Sequence, residues 1–154
     1  MPKSTQISAI DWSYVGCLID SEGSVTISKY RRKDSGKLEY KGRLTIGMND
    51  PHAIKFMQKL FGGTVRIGKK KIHALTGEEY APAYIIEYSS FDKLLFILTN
   101  VKPYSKVKAE QIQTLCDFLF DKAALNGQTN FKKNGIFNNH YVRLKKLKHK
   151  YWIK

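Results

Sequence analysis

Residues 24–48 set the tightest limit on what this chain can become. Polar and apolar residues alternate there with a period of two: Ser24, Thr26, Ser28 and Tyr30 fall on one face, Val25 and Ile27 on the other. Such a pattern suits a strand with one face on a core and one in solvent, and a slip of one residue would turn every side chain to the wrong side. Asp34, Ser35, Gly36 and Lys37 form a turn, and residues 38–48 read as the returning strand. The unit is an antiparallel hairpin.

Helical signals flank it. Ser8, three residues before Asp11, marks a helix start; residues 10–20 read as the first helix, and Gly23 ends it. Asp50 is the N-cap candidate of a second helix, with Pro51 at its first position, an apolar stripe of Ile54, Met57, Leu60 and Phe61, and a Gly62-Gly63 stop. Residues 64–72 read as a third strand, with Val65 and Ile67 opposite Thr64 and Arg66, and residues 82–88 as a fourth. Helices over 91–101 and 105–124 follow, split by Pro103, and after Asn126-Gly127 a basic terminal helix is expected over 138–151. The order predicts an α+β fold: an αββαββα core over 1–125, with a four-stranded antiparallel sheet and helices on its other face. A basic tail, 126–154, is expected to pack on that core and touch a nucleic-acid backbone. At 154 residues, with no second copy of the first-helix pattern, one domain is the expectation.

Charge narrows the partner. Lys and Arg number 27 against 13 Asp and Glu, a net charge of +14. The basic residues cluster at 29–43, at 66–71 and along the tail, which from 129 to 154 carries no acid. Solvated surfaces usually mix both signs, so a polyanion is expected, nucleic acid ahead of an anionic membrane surface. At 42% hydrophobic and 12% aromatic the chain is not disordered, and no apolar run reaches the ~18 residues of a membrane span. Residues 1–6 lack the apolar stretch of a secretory signal. Cys17 and Cys116 sit in apolar helical patterns and make neither a disulfide framework nor a zinc site, so an intracellular, reducing compartment is expected. His52, His73, His140 and His149 lack ligand spacing, and Gly62-Gly63 lacks the Lys-Ser/Thr of a phosphate loop. Trp12 and Tyr14 read as core or interface.

The stretch that carries chemistry is Val15-Gly16-Cys17-Leu18-Ile19-Asp20-Ser21-Glu22-Gly23. Small residues at Gly16, Cys17 and Ser21 allow another helix to approach closely. Asp20 and Glu22 sit at a helix C-terminus, where the dipole repels acids. They are either a polar helix end or a site for a counter-charge such as a metal ion.

This segment resembles the motif of the LAGLIDADG homing endonucleases, matching leucine-isoleucine-aspartate, the second acid and the closing glycine in register. It departs at Gly16-Cys17, where the family has alanine-glycine, and at Ser21-Glu22, where it has alanine-aspartate; Glu22 keeps a carboxylate. Residues 103–111 are similar to the family segment that brings a lysine near the scissile phosphates, which implies Lys108, with Lys106 second. The family also places a polar residue at the end of the second strand to hold solvent. Aligning 44–50 puts Met48 there, which a thioether cannot serve, and Asn49 is the nearest substitute. With one motif per chain, the resemblance implies a homodimer whose first helices meet at a two-fold axis through Val15, Gly16, Cys17, Ile19 and Asp20, with Asp20 capping the partner. It implies Mg²⁺ held by Glu22 and the Ser21 carbonyl, with Ca²⁺ binding but not supporting cleavage, and no small-molecule cofactor. It further implies cleavage of both strands of double-stranded DNA with 3′ overhangs.

Strand parity supplies a surface for that partner. Val25, Ile27, Leu44, Ile46, Val65 and Ile67 should face the helices. Ser24, Thr26, Ser28, Tyr30, Arg32, Lys41, Arg43, Thr45, Arg66 and Lys70 should face DNA, with groups suited to base edges and phosphates. A strand of about nine residues spans roughly 30 Å, or about nine base pairs, so a two-fold pair reads a pseudo-palindrome of about 18–22 base pairs. The alternative is a non-catalytic nucleic-acid binder of the same fold, an intron maturase or a transcription regulator.

Overall fold

The computed structural model describes residues 6–149; the end of the terminal helix expected to reach Tyr151 lies outside the described residues. Helix α1 spans Ala9–Glu22, its first turn closed by the Ser8 hydroxyl, which accepts the Asp11 N–H at 3.1 Å. Strands β1 (Gly23–Arg31) and β2 (Leu38–Met48) form the expected hairpin, pairing Ser24 with Thr45, Thr26 with Arg43 and Ser28 with Lys41. Helix α2 (Pro51–Phe61) starts on the Asp50 side chain, which accepts the His52 N–H, and stops where Gly62 takes φ +70°. Then come β3 (Val65–Ile67), β4 (Lys71–Ile72), β5 (Glu79–Tyr80), β6 (Tyr84–Tyr88) and α3 (Phe91–Val101). A 3₁₀ turn, Lys102–Tyr104, leads to α4 (Ala109–Ala124) and α5 (Asn130–His149).

The main sheet is antiparallel in the order β1-β2-β6-β3. Val25, Leu44, Ile46 and Ile86 on one face are fully buried with Ile19, Ile54, Leu98 and Phe118 of the helices. Each such side chain contributes about 1.5–3 kcal/mol by leaving water. Among the described residues the opposite face holds no fully buried apolar side chain. That asymmetry is the one the alternation in 24–48 demands.

Three expectations change. The third strand does not run through 64–72. It ends at Ile67, Gly68 donates to the Ala83 carbonyl at 2.7 Å, and the chain departs into a separate ribbon of β4 and β5. Ile67, expected in the core, is the last residue of β3 and is 66% exposed. Residues 105–108 are not helical, and α4 begins at Ala109. The terminal helix starts at Asn130 rather than 138, because Phe137 and Leu144 dock on α4 and the hairpin, with Phe137 5.3 Å from Phe118 between ring centroids. Among the described residues no helix is long and apolar enough to cross a membrane.

Candidate active site and nucleic-acid interface

The two acids at the end of α1 have opposite surroundings. Asp20 is saturated by its own chain. Its Oδ1 accepts the Ser105 hydroxyl at 2.5 Å and the Lys108 N–H at 3.1 Å, and its Oδ2 accepts the N–H groups of Lys106 (2.6 Å) and Val107 (3.1 Å). Burial alone raises the Asp20 carboxyl, but the Ser105 hydroxyl and these three amides outweigh it and hold the carboxyl below its ordinary value. Asp20 therefore caps the 105–108 turn of its own chain, where a cap on a partner was expected. Glu22, two residues on, is exposed and makes no hydrogen bond or ion pair with any described residue.

Lys108 joins the two. Its ammonium donates to the Ile19 carbonyl at 2.9 Å and the Gly23 carbonyl at 2.5 Å, where α1 turns into β1. This meets the negative end of the helix dipole. Burial lowers its pKa, opposed in part by the charges of Asp20 and Glu22. An ammonium has three protons, so one remains for a ligand. Lys106, the second choice, gives only its backbone to Asp20 and is exposed.

The faces of α1 correct the expected helix contact. Val15, Gly16 and Ile19 are buried within their own chain. A Cβ at position 16 would lie 2.7 Å from the Tyr104 carbonyl oxygen, so the small residue makes room for the 3₁₀ turn rather than for another copy. The face left open carries Ile10, Tyr14, Cys17 and Ser21, at helical spacings of four, three and four. Of the interface residues inferred from sequence, Cys17 lies squarely on it, and Asp20 stands half-buried at its margin. The apolar residues on both sides of α1 hid which side was inward.

The open face of the sheet assembles Ser24, Thr26, Ser28, Tyr30, Lys41, Arg43, Thr45 and Arg66. Sequence reading missed an acid among them. Glu87 on β6 accepts from the Thr45 hydroxyl at 3.4 Å and lies 3.9 Å from Arg43 and 3.8 Å from Arg66. The parity of Tyr84, Ile86 and Tyr88 could have revealed it. The Arg43 Nε is buried without a hydrogen-bond partner. Tyr30 donates to Glu39 at 3.0 Å, and Arg32 bridges Asp34 (2.7 Å) and Glu39 (3.2 Å) at the hairpin tip. Lys70 is displaced from the sheet to the ribbon, paired with Glu79 at 3.3 Å.

Two further placements bear on the site. Gly23 pairs with Ile46 in the first rung of the ladder after α1, and Met48 shares the inward parity of Ile46 and packs against the core. The Met48 alignment therefore fails on parity; Gly47 brings no side chain, and Asn49 is exposed just beyond β2. Lys148 of α5 reaches over the β1 edge and donates to the Thr26 and Ser24 hydroxyls at 3.0 and 3.4 Å. Among the described residues no group of three His, Cys, Asp or Glu could hold a metal within one subunit.

No protein-family model and no curated protein matches the chain. Solved structures do. The archaeal intron-encoded homing endonuclease I-Vdi141I, complexed with DNA, aligns with 90% of this chain and 84% of its own at 17% identity and a TM-score of 0.66. The homing endonuclease I-TnaI aligns with 90% of this chain and 96% of its own, at 16% identity and 0.62. The LAGLIDADG homing endonuclease I-GzeII, in complex with its DNA target, aligns with 87% of this chain but 43% of its own, at 14% identity and 0.60. The chain has the LAGLIDADG homing-endonuclease fold.

Proposed function

We propose that this chain, having that fold, is a site-specific DNA endonuclease of the LAGLIDADG type, acting as a homodimer on a long pseudo-palindromic duplex and leaving 3′ overhangs. The observation that carries the reading is the division of labour at the end of α1. One carboxylate is consumed in positioning the 105–108 turn, and the other stands open beside a lysine with a spare proton, where the basic sheet begins.

The donors fit a hard divalent cation. The Glu22 carboxylate and the Ser21 carbonyl are oxygen ligands, and Mg²⁺ favours oxygen and retains waters. One subunit supplies too few of them, and a second copy docked through Ile10, Tyr14 and Cys17 brings the matching set. I-TnaI is matched over nearly all of its length and I-GzeII over less than half, so this fold unit occurs both as a whole chain and as part of a longer one. Glu22 and the Ser21 carbonyl would hold Mg²⁺, which would supply Lewis-acid stabilisation of charge on a phosphate. Lys108 holds an ammonium where charge builds on the phosphate, and Ser24 to Tyr30 with Lys41, Arg43 and Thr45 line the approach to bases.

Met48 favours a second reading. With its side chain packed against the core, the second strand presents no polar group at that position, and the site has lost one means of orienting solvent, as in a nucleic-acid binder that does not cut. Glu22→Gln decides between them, because it keeps shape and removes charge. With a duplex selected from a random-sequence pool in Ca²⁺, binding should persist and Mg²⁺-dependent scission should fall by at least about a hundredfold. Scission at the wild-type rate overturns the metal assignment, and a wild-type protein that binds but never cuts establishes the second reading.

A further inference from the structure

The tail's lysines are not equivalent. Lys145 and Lys146 are exposed on α5, whereas Lys148 is half-buried and turned inward. Its ammonium donates to the Thr26 and Ser24 hydroxyls, the first two outward-facing residues of β1 after Glu22. At about 3.3 Å per residue, Ser24 lies roughly 7 Å along the chain from Glu22. Lys148 is also close enough to Lys108 for that charge to add to burial in lowering its pKa. Among the described residues no carboxylate pairs with Lys148. The Lys108 ammonium rests on the Gly23 carbonyl and the Lys148 ammonium on the hydroxyl of Ser24, the next residue, so two cations gather at the α1–β1 junction. A lysine is a point charge without directional readout, and hydroxyl partners leave its charge uncompensated, so the chemistry it suits is a phosphate oxygen.

We infer that Lys148 is a phosphate-positioning residue of the active site, holding a backbone phosphate adjacent to the one at Glu22 and Lys108. The last turn of α5 is then part of the catalytic apparatus rather than a nonspecific basic surface. The inference rests on the endonuclease reading for its consequence on rate, but its binding consequence stands alone.

Lys148→Met keeps the aliphatic stem, Lys148→Arg keeps the charge, and Lys146→Met is the control on the exposed face. All are made in the full chain and checked by circular dichroism. With the selected duplex, Lys148→Met should slow single-turnover cleavage at saturating enzyme by at least about tenfold while the Kd in Ca²⁺ moves less than about threefold. Lys148→Arg should recover most of the rate. Lys146→Met should weaken binding without changing the saturated rate. In a second arm, single methylphosphonates replace each central phosphate in turn. One neutral linkage should weaken wild-type binding by about two- to threefold, as much as Lys148→Met does, and have no further effect on Lys148→Met. If Lys148→Met and Lys146→Met behave alike, and every methylphosphonate acts equally on both proteins, the inference is overturned. If the wild type binds without cutting, the nuclease reading fails, and the methylphosphonate arm still decides Lys148.

Discussion

The inner end of the sheet, where α1 runs into β1, and its outer end, at β3 and the β4–β5 ribbon, are built on different principles. At the inner end side chains are pinned by backbone. Asp20 holds three consecutive N–H groups, Lys108 holds two carbonyls, and Gly16 lies against the Tyr104 carbonyl. At the outer end side chains meet side chains that are exposed or half-buried: Arg66 reaches Glu87 at 3.8 Å, Lys70 reaches Glu79 at 3.3 Å, and Ile67, Ile72 and Leu75 lie open to solvent. On the proposed endonuclease reading, chemistry on a phosphate would fail when groups shift by about 1 Å, which is a reason for its supports to be fixed through the main chain. Reading different DNA sequences asks for side chains that can be exchanged cheaply. One end is over-determined and the other is left adjustable.

The contrast breaks if the inner end proves tolerant. Asp20→Ala should remove about 2–3 kcal/mol of stability, since four donors lose a charged acceptor that water only partly replaces. The dependence on pH has a definite sign. The folded-state carboxyl lies below its ordinary value of 3.8, so its stabilisation is present above that value and fades as pH falls through the lower, folded one. Urea midpoints of wild type and Asp20→Ala should therefore differ at pH 7 and converge below about pH 4. A constant gap across that range would mean the cap acts through packing and not charge. Gly16→Ala should cost about 1–2 kcal/mol, because overpacking against Tyr104 backbone outweighs the roughly 1 kcal/mol of helix propensity gained. Since Tyr104 leads into the turn that carries Lys108, cleavage should slow as well; unchanged stability and rate would show that the turn moves freely. Cys17→Glu, on the open face of α1, should leave the subunit fold intact and weaken self-association by about tenfold or more through like charges at the axis. Sedimentation that stays dimeric would place the two-fold elsewhere.

How much of this was legible follows the same division. Period-two alternation gave β1 and β2 with their register, and Ser8, Asp50, Gly23 and Gly62 marked helix ends through local hydrogen bonding and φ. The acids of α1 could be read as a site, but not which of them would be saturated: the donors come from residues more than eighty positions away. The inward face of α1 was misassigned because Val15 and Ile19 look no different in sequence from Ile10 and Tyr14; only packing separates them. Residues 64–72 read as one strand because their composition stays β-like throughout, while the break after Ile67 depends on where Gly68 and the β4–β5 ribbon find their partners. Lys148 was invisible among the tail's lysines, since its distinction is the neighbour it meets rather than the residue it is.

Glu87 offers the smallest effect and the sharpest limit on the comparison. It is the acid on an otherwise basic stretch of the open face, yet its ion pairs to Arg43 and Arg66 are long and partly exposed, so together they contribute about 0–1 kcal/mol. Glu87→Gln keeps the volume and the ability to accept from Thr45, and the thermal midpoint should shift by no more than corresponds to about 0.5 kcal/mol. What should change is association. Loss of one negative charge from the groove frees two guanidinium groups for phosphate or guanine contact, so duplex affinity should rise a few-fold at low salt. The gain should shrink as salt screens the groove. Discrimination among duplexes should relax at the base pairs nearest Arg43 and Arg66, because a carboxylate that now steers both side chains would be gone. Competition binding with a mutated-site library reads both effects. A loss above about 1.5 kcal/mol in stability would show that Glu87 anchors the outer sheet as firmly as Asp20 anchors the inner end, and the two ends would then share one principle.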